Sequence, residues 1–451
     1  MIRIKIATAA LALFAFTQTT FSQQTHQFSL QQALEYAQKN NVQVKNALLD
    51  IELQQQVNRE VTGSAFPQIN ASGDITDNFK LPISIIPAGT VFMPGTPPTT
   101  EDTRLAFGVK WSSMGGVSLS QILFDGQVFT GLQARRTLID YKEKAAEVTA
   151  EQIRSVVAKI YYQLVLSKVQ LALLDSNIAL LQKNQHDTKI MYDNGFVEKL
   201  EIDKLEVQIA NVKSQKIQAL NAVNNGYLGL KVLMGMPLKD QLILTDDLTD
   251  QDIREGILEE SANFDYSQRR DFQAASLGLK LNEYDIQRYK RSKMPTLTLN
   301  GYWNQMTQAN QFGNMFGSGS YWFPVSALTL KLNIPIFNGF ATNSRIQQAR
   351  IKLRQTENQV EALKLQIDQQ RDSSINTFRT AVTDMDYQKQ NMALAERVYQ
   401  QTKKKFEVGT GSQLEIENAR VQLQSAQTNY FNSLYNAVSA KIDFLKATGK
   451  L

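Results

Sequence analysis

The sequence predicts an α+β membrane protein: long helices, a pattern that occurs twice, and too few strands to close a barrel within one chain. Phe340 to Val408 contains neither Gly nor Pro. As one helix it would extend about 100 Å, whereas a compact globule of this length would be roughly 60 Å across. Such a helix must pack sideways on other long helices. The second observation is a set of matching offsets. Gly126 and Gly339 lie 213 residues apart, Gly195 and Gly409 lie 214, and Gly235 and Gly449 lie 214. Agreement to within one residue over such separations marks an internal duplication. The third is strand alternation beside a proline in each half, at Pro67 and Pro295.

Taken in order, residues 1–22 read as a secretory signal: basic Arg3 and Lys5, an apolar run from Ile6 to Phe16, and small Thr20 and Ser22 before the expected cut at Gln23. The apolar run is too short for a membrane span, and no other stretch reaches about 18 consecutive apolar residues. Any further crossing would have to use β-strands, whose signal is weaker. Residues 28–62 read as one helix capped by Ser29, with Leu30, Leu34, Val44, Leu48 and Ile51 as its stripe. Gln68 to Ile75 alternates as a strand does. Between Pro82 and Pro98 lie five of the ten prolines, which predicts a long irregular loop. Leu105 to Trp111 alternates, Gly115-Gly116 reads as a break, and Val117 to Leu123 resumes the period of two.

Gln127 to Asp193 then reads as a long helix. Ile153, Val157, Ile160, Leu164, Ser167, Leu171, Leu174, Ile178 and Leu181 step by threes and fours, the heptad of a coiled seam. A return helix ends at Gly235. Residues 238–254 read as an irregular acidic connector. The pattern then recurs, with a helix over about 255–292, strands after Pro295, a second long helix with Phe378, Met385, Met392, Tyr399 and Phe406 seven apart, and a return helix from Ser412. Pro67 and Pro295 are 228 apart. The fifteen-residue excess over the Gly126–Gly339 offset falls where the Pro-rich loop sits, so one loop insertion in the first copy reconciles the offsets. The expected organisation is therefore a signal over 1–22, a first repeat over 23–237, a connector over 238–254 and a second repeat over 255–451.

Four strands cannot close a barrel, and a spanning sheet leaves no open edge. The strands must be pooled, and three chains supply twelve strands and twelve helical columns. Tyr302, Trp303, Tyr321, Trp322 and Phe323 flank the second hairpin loop, where an interfacial aromatic girdle belongs; the alternative is the core of a soluble sheet.

Composition narrows the chemistry. There are no cysteines, which excludes disulfides, thiol catalysis, cysteine metal sites and an acylated anchor. The two histidines, His26 and His186, read as solvated surface residues. The net charge of +5 loses two positive charges with the signal. Alternating charges along the helices describe solvated faces rather than a nucleic-acid footprint. No nucleophile–base set, phosphate loop or metal cluster supports an enzyme, and no cofactor is expected.

The junctions Phe124-Asp125-Gly126 and Phe337-Asn338-Gly339, and the tips Tyr192-Asp193-Asn194-Gly195 and Phe406-Glu407-Val408-Gly409-Thr410, resemble those of the TolC family of outer-membrane efflux proteins over about residues 28–450. Family tips carry an acidic residue six positions after the Gly, here Glu201 and Glu415. The resemblance implies a homotrimer: a twelve-stranded β-barrel in outer-membrane lipid, four strands per chain, continued by a long periplasmic α-helical coiled-coil barrel. It implies an exit duct for small molecules or proteins, with a periplasmic adaptor (membrane fusion protein) and an inner-membrane pump as partners in tripartite efflux or type I secretion. The alternative is a periplasmic coiled-coil adaptor or scaffold without a barrel.

Carried over residue by residue, the first constriction position of the family is Glu415, and the second falls on uncharged Asn418. The basic gate position two after the tip glycine is Gly411, so the family's gate-locking ion pair has no counterpart there. Asn194, Gly195, Phe196, Val408, Gly409 and Thr410 are the expected adaptor-docking tips. C-capping by glycine, and a carboxylate favoured in any first helical turn, are the plainer explanations of the tips and of Glu415. Leu414 and Val421, seven apart, are expected to hold the helix seam beside Glu415.

Overall fold

The computed structural model describes residues 25–91, 95, 97–248, 253–254 and 264–451. The expected signal at 1–22 and the first part, 255–263, of the helix expected over 255–292 lie outside the described residues; of the rest, the α-helix begins only at Arg270. The elements are β1 (Thr25–Phe28), α1 (Leu30–Asn40), α2 (Val42–Gly63), β2 (Gln68–Asp77), β3 (Ile83–Ile86), β4 (Thr103–Ala106), β5 (Trp111–Phe124), α3 (Gly126–Asp193), α4 (Lys199–Met234), β6 (Gln241–Leu244), α5 (Arg270–Arg291), β7 (Thr296–Ala309), β8 (Trp322–Asn333), α6 (Ala341–Glu407) and α7 (Gln413–Ala447). They divide into two compact units, a sheet unit over Glu52–Asp140 and Leu277–Asn358, and a helical unit from the described parts of Met1–Ile51, Tyr141–Ser276 and Gln359–Leu451. Both long helices, α3 with 68 residues and α6 with 67, pass from one unit into the other.

In the sheet unit β2, β5, β7 and β8 form one antiparallel sheet in that order. Side chains alternate between its faces with period two. Ile69, Ala71 and Ile75 share a face with Leu119, Val117, Leu299, Trp303, Leu328, Leu330 and Leu332. Asn70, Ser72, Asp74, Ser118, Ser120, Asn300, Asn304, Thr329 and Lys331 share the other. The apolar face is open: Ile69 is 72% and Leu328 72% exposed. The expected girdle is therefore split by the pleat. Trp303, Trp322 and Trp111 lie on the apolar face, whereas Tyr302 and Phe323 lie on the polar face.

Two readings of the first hairpin change. Gly115-Gly116 is no break, because β5 runs through it; a Cβ on Gly116 would come within 2.3 Å of the Trp303 carbonyl oxygen, so glycine permits a close strand approach there. The Pro-rich stretch is not wholly irregular: Ile83–Ile86 pairs with Thr103–Ala106, and Pro82 and Pro87 bracket the paired segment, where a missing N–H breaks no ladder bond.

The strand registers also relate the two halves. Ile69 faces Leu119 and Asp77 faces Trp111. Moved by 228 on the first strand and 213 on the second, these pairs become Leu297 with Leu332 and Gln305 with Pro324, which face each other.

The helical unit is built on α3. Ile153, Val157, Tyr161 and Leu164 pack in one core with Ala33, Ala37, Val223, Leu230 and Met234. Ala158 and Leu166, on another side of α3, enter a second core with Phe378, Met385, Leu434, Ala437, Val438 and Phe444. Serving two cores requires α3 to carry apolar residues on more than one side over this stretch. It holds an 18-residue window of mean hydropathy 1.5, enough by length and composition to cross a membrane, although the window is interrupted by polar residues and is no run of consecutive apolar ones.

The single helix expected over 28–62 is two helices. Asn41 between them is extended (φ −59°, ψ 133°), its Oδ1 accepts from the Gln43 and Val44 amides, and its Nδ2 donates to the Leu233 carbonyl at 2.6 Å. Ser29 forms the expected cap, with Gln32 completing a capping box. Arg269 repeats Asn41's task before α5: it is buried and donates to the carbonyls of Ala447 and Lys446 at 3.0 and 3.2 Å. The end of each return helix, α4 and α7, is thus capped from a chain break 228 residues apart in sequence, at Asn41 and Arg269.

Residues 238–254 are not irregular throughout, because β6 pairs in parallel with β1. The same pairing removes His26 from bulk solvent: it stacks on Phe28 and lies 3.5 Å from Asp240. His186 is exposed as expected. The buried Tyr161 hydroxyl donates to the Phe28 carbonyl at 2.9 Å and accepts from the Asp246 amide at 3.3 Å. Burial is the main reason its phenol is pushed up from 10.0 to about 12. A folded pKa above the unfolded one favours the neutral form, so this contribution is complete below pH 10 and lost as pH rises to about 12. Thermal melts followed by far-UV circular dichroism should show stability falling across that interval. Tyr161→Phe should cost about 1 kcal/mol at neutral pH and make the alkaline decline shallower; an unchanged alkaline slope would remove Tyr161 as its source.

Candidate functional site

The helix-hairpin tips hold the residues singled out in sequence. α3 ends at Asp193 and α4 begins at Lys199; α6 ends at Glu407 and α7 begins at Gln413. At each tip a glycine adopts the left-handed conformation, Gly195 with φ 77° and Gly409 with φ 78°. The Phe196 amide returns to the Met191 carbonyl, and the Thr410 amide to that of Lys405, so both turns close by the same long-reach bond. A Cβ on either glycine would meet nothing within 4 Å, so their surroundings are open. Phe196 is 81% and Val408 73% exposed. Asn194 donates to the Ile190 carbonyl and Thr410 to that of Lys405. Capping thus accounts for the glycines and leaves exposed apolar side chains beside them.

The two tips lie side by side. A groove of about 430 Å³ between them is lined by Leu180, Met191, Phe406 and Ile416 together with Lys183, Lys403 and Glu201. Below it Tyr399, Ile416, Ala419 and Leu423 form a buried core. The expected seam through Leu414 and Val421 is wrong within the chain, where these residues are 70% and 55% exposed. The helix stripe is set by Ile416, Ala419 and Leu423, which turns Leu414 and Val421 outward.

Glu415 and Asn418 are both exposed in the first turns of α7, where Ser412 caps by accepting from the Glu415 amide. The corresponding acid of the other tip differs electrostatically. Glu201 is held by Lys204 at 2.6 Å, one helical turn on. The position one turn after Glu415 is Asn418, and Glu415 makes no ion pair with a described residue. A macrodipole preference applies to both acids alike; only Glu415 keeps an uncompensated charge.

Sequence reasoning missed Arg420. It is 5% exposed on the core stripe of α7, and its Nη2 donates to Gln208 of α4 at 2.7 Å and to Glu417 at 2.9 Å. Its Nε and Nη1, and Oε1 of Glu417, have no partner among the described residues. The available signal was its position, four after Ile416 and three before Leu423, which places a guanidinium on an apolar stripe.

The sheet is apolar on one face and polar on the other, and each half continues into two long antiparallel helices; in sequence the chain is similar to outer membrane efflux proteins. The family pattern matches residues 266–450. Among its relatives is the outer membrane protein TolC of Vibrio cholerae, 19% identical over 340 residues, with 74% of this chain and 76% of the relative covered. The outer membrane efflux protein BepC of Brucella suis is 21% identical over 431 residues, with 93% and 85% covered. The fold is also that of the Campylobacter jejuni CmeC outer membrane channel, with a TM-score of 0.72 at 18% identity, covering 93% of this chain and 85% of that one.

Truncating one partner of a buried ion pair strands the other, so Arg420→Ala should destabilise the helical unit by about 3–5 kcal/mol. The double change Arg420→Met with Glu417→Leu should recover most of that loss. Urea midpoints of the two variants check this; equal midpoints would show that Glu417 is not dependent on Arg420.

Proposed function

We propose that the chain is one protomer of a homotrimeric outer-membrane duct that exports small molecules or proteins. It works with a periplasmic adaptor and an inner-membrane pump in a tripartite efflux or type I secretion system. The observation that carries the reading is the four-stranded sheet with one apolar face, one polar face and two free edges. In lipid an unpaired edge costs several kcal/mol for each bare backbone group. Three copies supply twelve strands, an even number within the range of such barrels. The apolar face then meets lipid and the polar face lines the lumen.

The names of the relatives, outer membrane protein TolC and outer membrane efflux protein BepC, favour this channel over a periplasmic adaptor or scaffold. Residues 1–22 serve as the export signal. Residues 23–237 and 255–451 are the two copies of one ancestral unit around the 238–254 connector, a division supported by the matching strand registers and by the paired caps at Asn41 and Arg269.

Glu415, with Asn418 on the same face, lines the narrow periplasmic end. Threefold symmetry makes Glu415 a ring of three carboxylates, which attracts cations where the field is poorly screened. Reconstituted channels are expected to be cation-selective, and Glu415→Gln should move the reversal potential in a salt gradient toward zero. An unmoved potential would leave Glu415 as a helix-start residue only.

Asn194-Gly195-Phe196 and Val408-Gly409-Thr410 dock the adaptor, with the exposed side chains of Phe196 and Val408 as contact groups. Gly409→Trp should abolish efflux while trimers remain in the membrane. Gly409→Asn, which tolerates the left-handed backbone, should retain efflux. Full efflux in the Trp variant would exclude docking at this tip.

A further inference from the structure

The four-stranded sheet carries three charged residues, and all three lie on its edge strands: Asp74 and Asp77 on β2, and Lys331 on β8. The inner strands β5 and β7 carry none. By alternation Asp74 and Lys331 belong to the polar face, and Asp77 to the apolar face. Asp74 and Lys331 are both exposed, and neither makes an ion pair with a described residue. Opposite charges are thus held in reserve on opposite free edges.

The molecule contains a template for how those edges meet. The β2–β5 register, moved by 228 and 213 residues, reproduces the β7–β8 register. β5 corresponds to β8 and β7 to β2, so the β5–β7 pairing describes a pairing of β8 with β2 of a second copy. Ser118 faces Tyr302, Val117 faces Trp303 and Leu119 faces Gly301. The same shifts set Lys331 against Asp74 of the partner subunit, Leu330 against Ile75 of the partner subunit, and Leu332 against Gly73 of the partner subunit.

We infer that β8 pairs antiparallel with β2 of a second copy of this chain in this register, keyed by a cross-strand ion pair between Lys331 and the partner's Asp74. The inference rests on the proposed sharing of strands between chains and adds the register and its key. Two features follow from this register. The apolar faces of the two copies become continuous, whereas a one-residue slip would turn every side chain to the wrong face. A two-residue slip keeps the faces but sets Lys331 against the partner's Ser72 or the partner's Thr76, leaving Asp74 opposite an uncharged residue. Only the inferred register joins the charges.

The absence of native cysteine permits a direct test in the full-length chain. Within one chain Asp74 and Lys331 are on strands separated by two others, about 14 Å apart, too far for a disulfide. Directly opposed residues across a strand pair bring their Cβ atoms to about 4.5–5.5 Å. Asp74→Cys with Lys331→Cys, oxidised in outer membranes, is therefore expected to give covalent dimers and trimers on a non-reducing denaturing gel. The offset pair Thr76→Cys with Lys331→Cys should give at least tenfold less at equal time. Lys331→Glu should lose the heat-resistant oligomer, and adding Asp74→Lys should restore it. Oligomers captured by an amine cross-linker without the Asp74–Lys331 disulfide, or with equal yield from the offset pair, would overturn the register while leaving strand sharing intact. Absence of any oligomer with the amine cross-linker would overturn both.

Discussion

Backbone hydrogen bonding at the sheet edges is the constraint on which the architecture turns. Water satisfies an exposed strand edge; hydrocarbon does not. In the proposed duct the apolar face bearing Ile69, Leu119, Leu299 and Leu330 meets lipid, yet among the described residues β2 and β8 each pair on one side only. Under that proposal the two free edges are completed by other copies of the chain. Placing the sheet's only charges on those two strands is consistent with edges that are specified rather than left adhesive.

A second constraint is length. A helix of 67 or 68 residues gains little security from its own hydrogen bonds and needs a continuous lateral partner. α3 meets this need with two apolar faces, one on the core with α1 and α4, the other on the core with α6 and α7. The return helices are held at their ends. Gly235 and Gly449 approach the backbone of Asn40 and Gln268 so closely that a Cβ would lie 2.3 and 2.7 Å from a carbonyl oxygen. Asn41 and Arg269 then satisfy the last carbonyls of α4 and α7. The same end-capping is thus executed once with an amide and once with a guanidinium, 228 residues apart.

The two tips differ in charge. Their turns are nearly superposable in backbone terms, with glycine φ values of 77° and 78°. Their acids are not equivalent, because Lys204 neutralises Glu201 and Asn418 cannot neutralise Glu415. Behind them Arg420 bridges Glu417 and Gln208 in a buried setting, joining α7 to α4 where an apolar residue would pack more cheaply.

Sequence alone determined the long helices, the glycine-ended hairpins, the strands that follow Pro67 and Pro295, and the offsets between halves. These depend on local period, on Gly and Pro, and on chain separation, all of which are written in one dimension. It also placed Glu415, Asn418 and both tips on the correct elements. It could not separate Tyr302 from Trp303, or recognise Gly115-Gly116 as strand, because face and close approach are set by cross-strand register. Nor could it see that Asn41 ends a helix to cap another nearly two hundred residues away, that β1 and β6 pair, or that Arg420 is buried while Leu414 is not. Those outcomes depend on which neighbour arrives at a given face, and only the tertiary structure brings neighbours together.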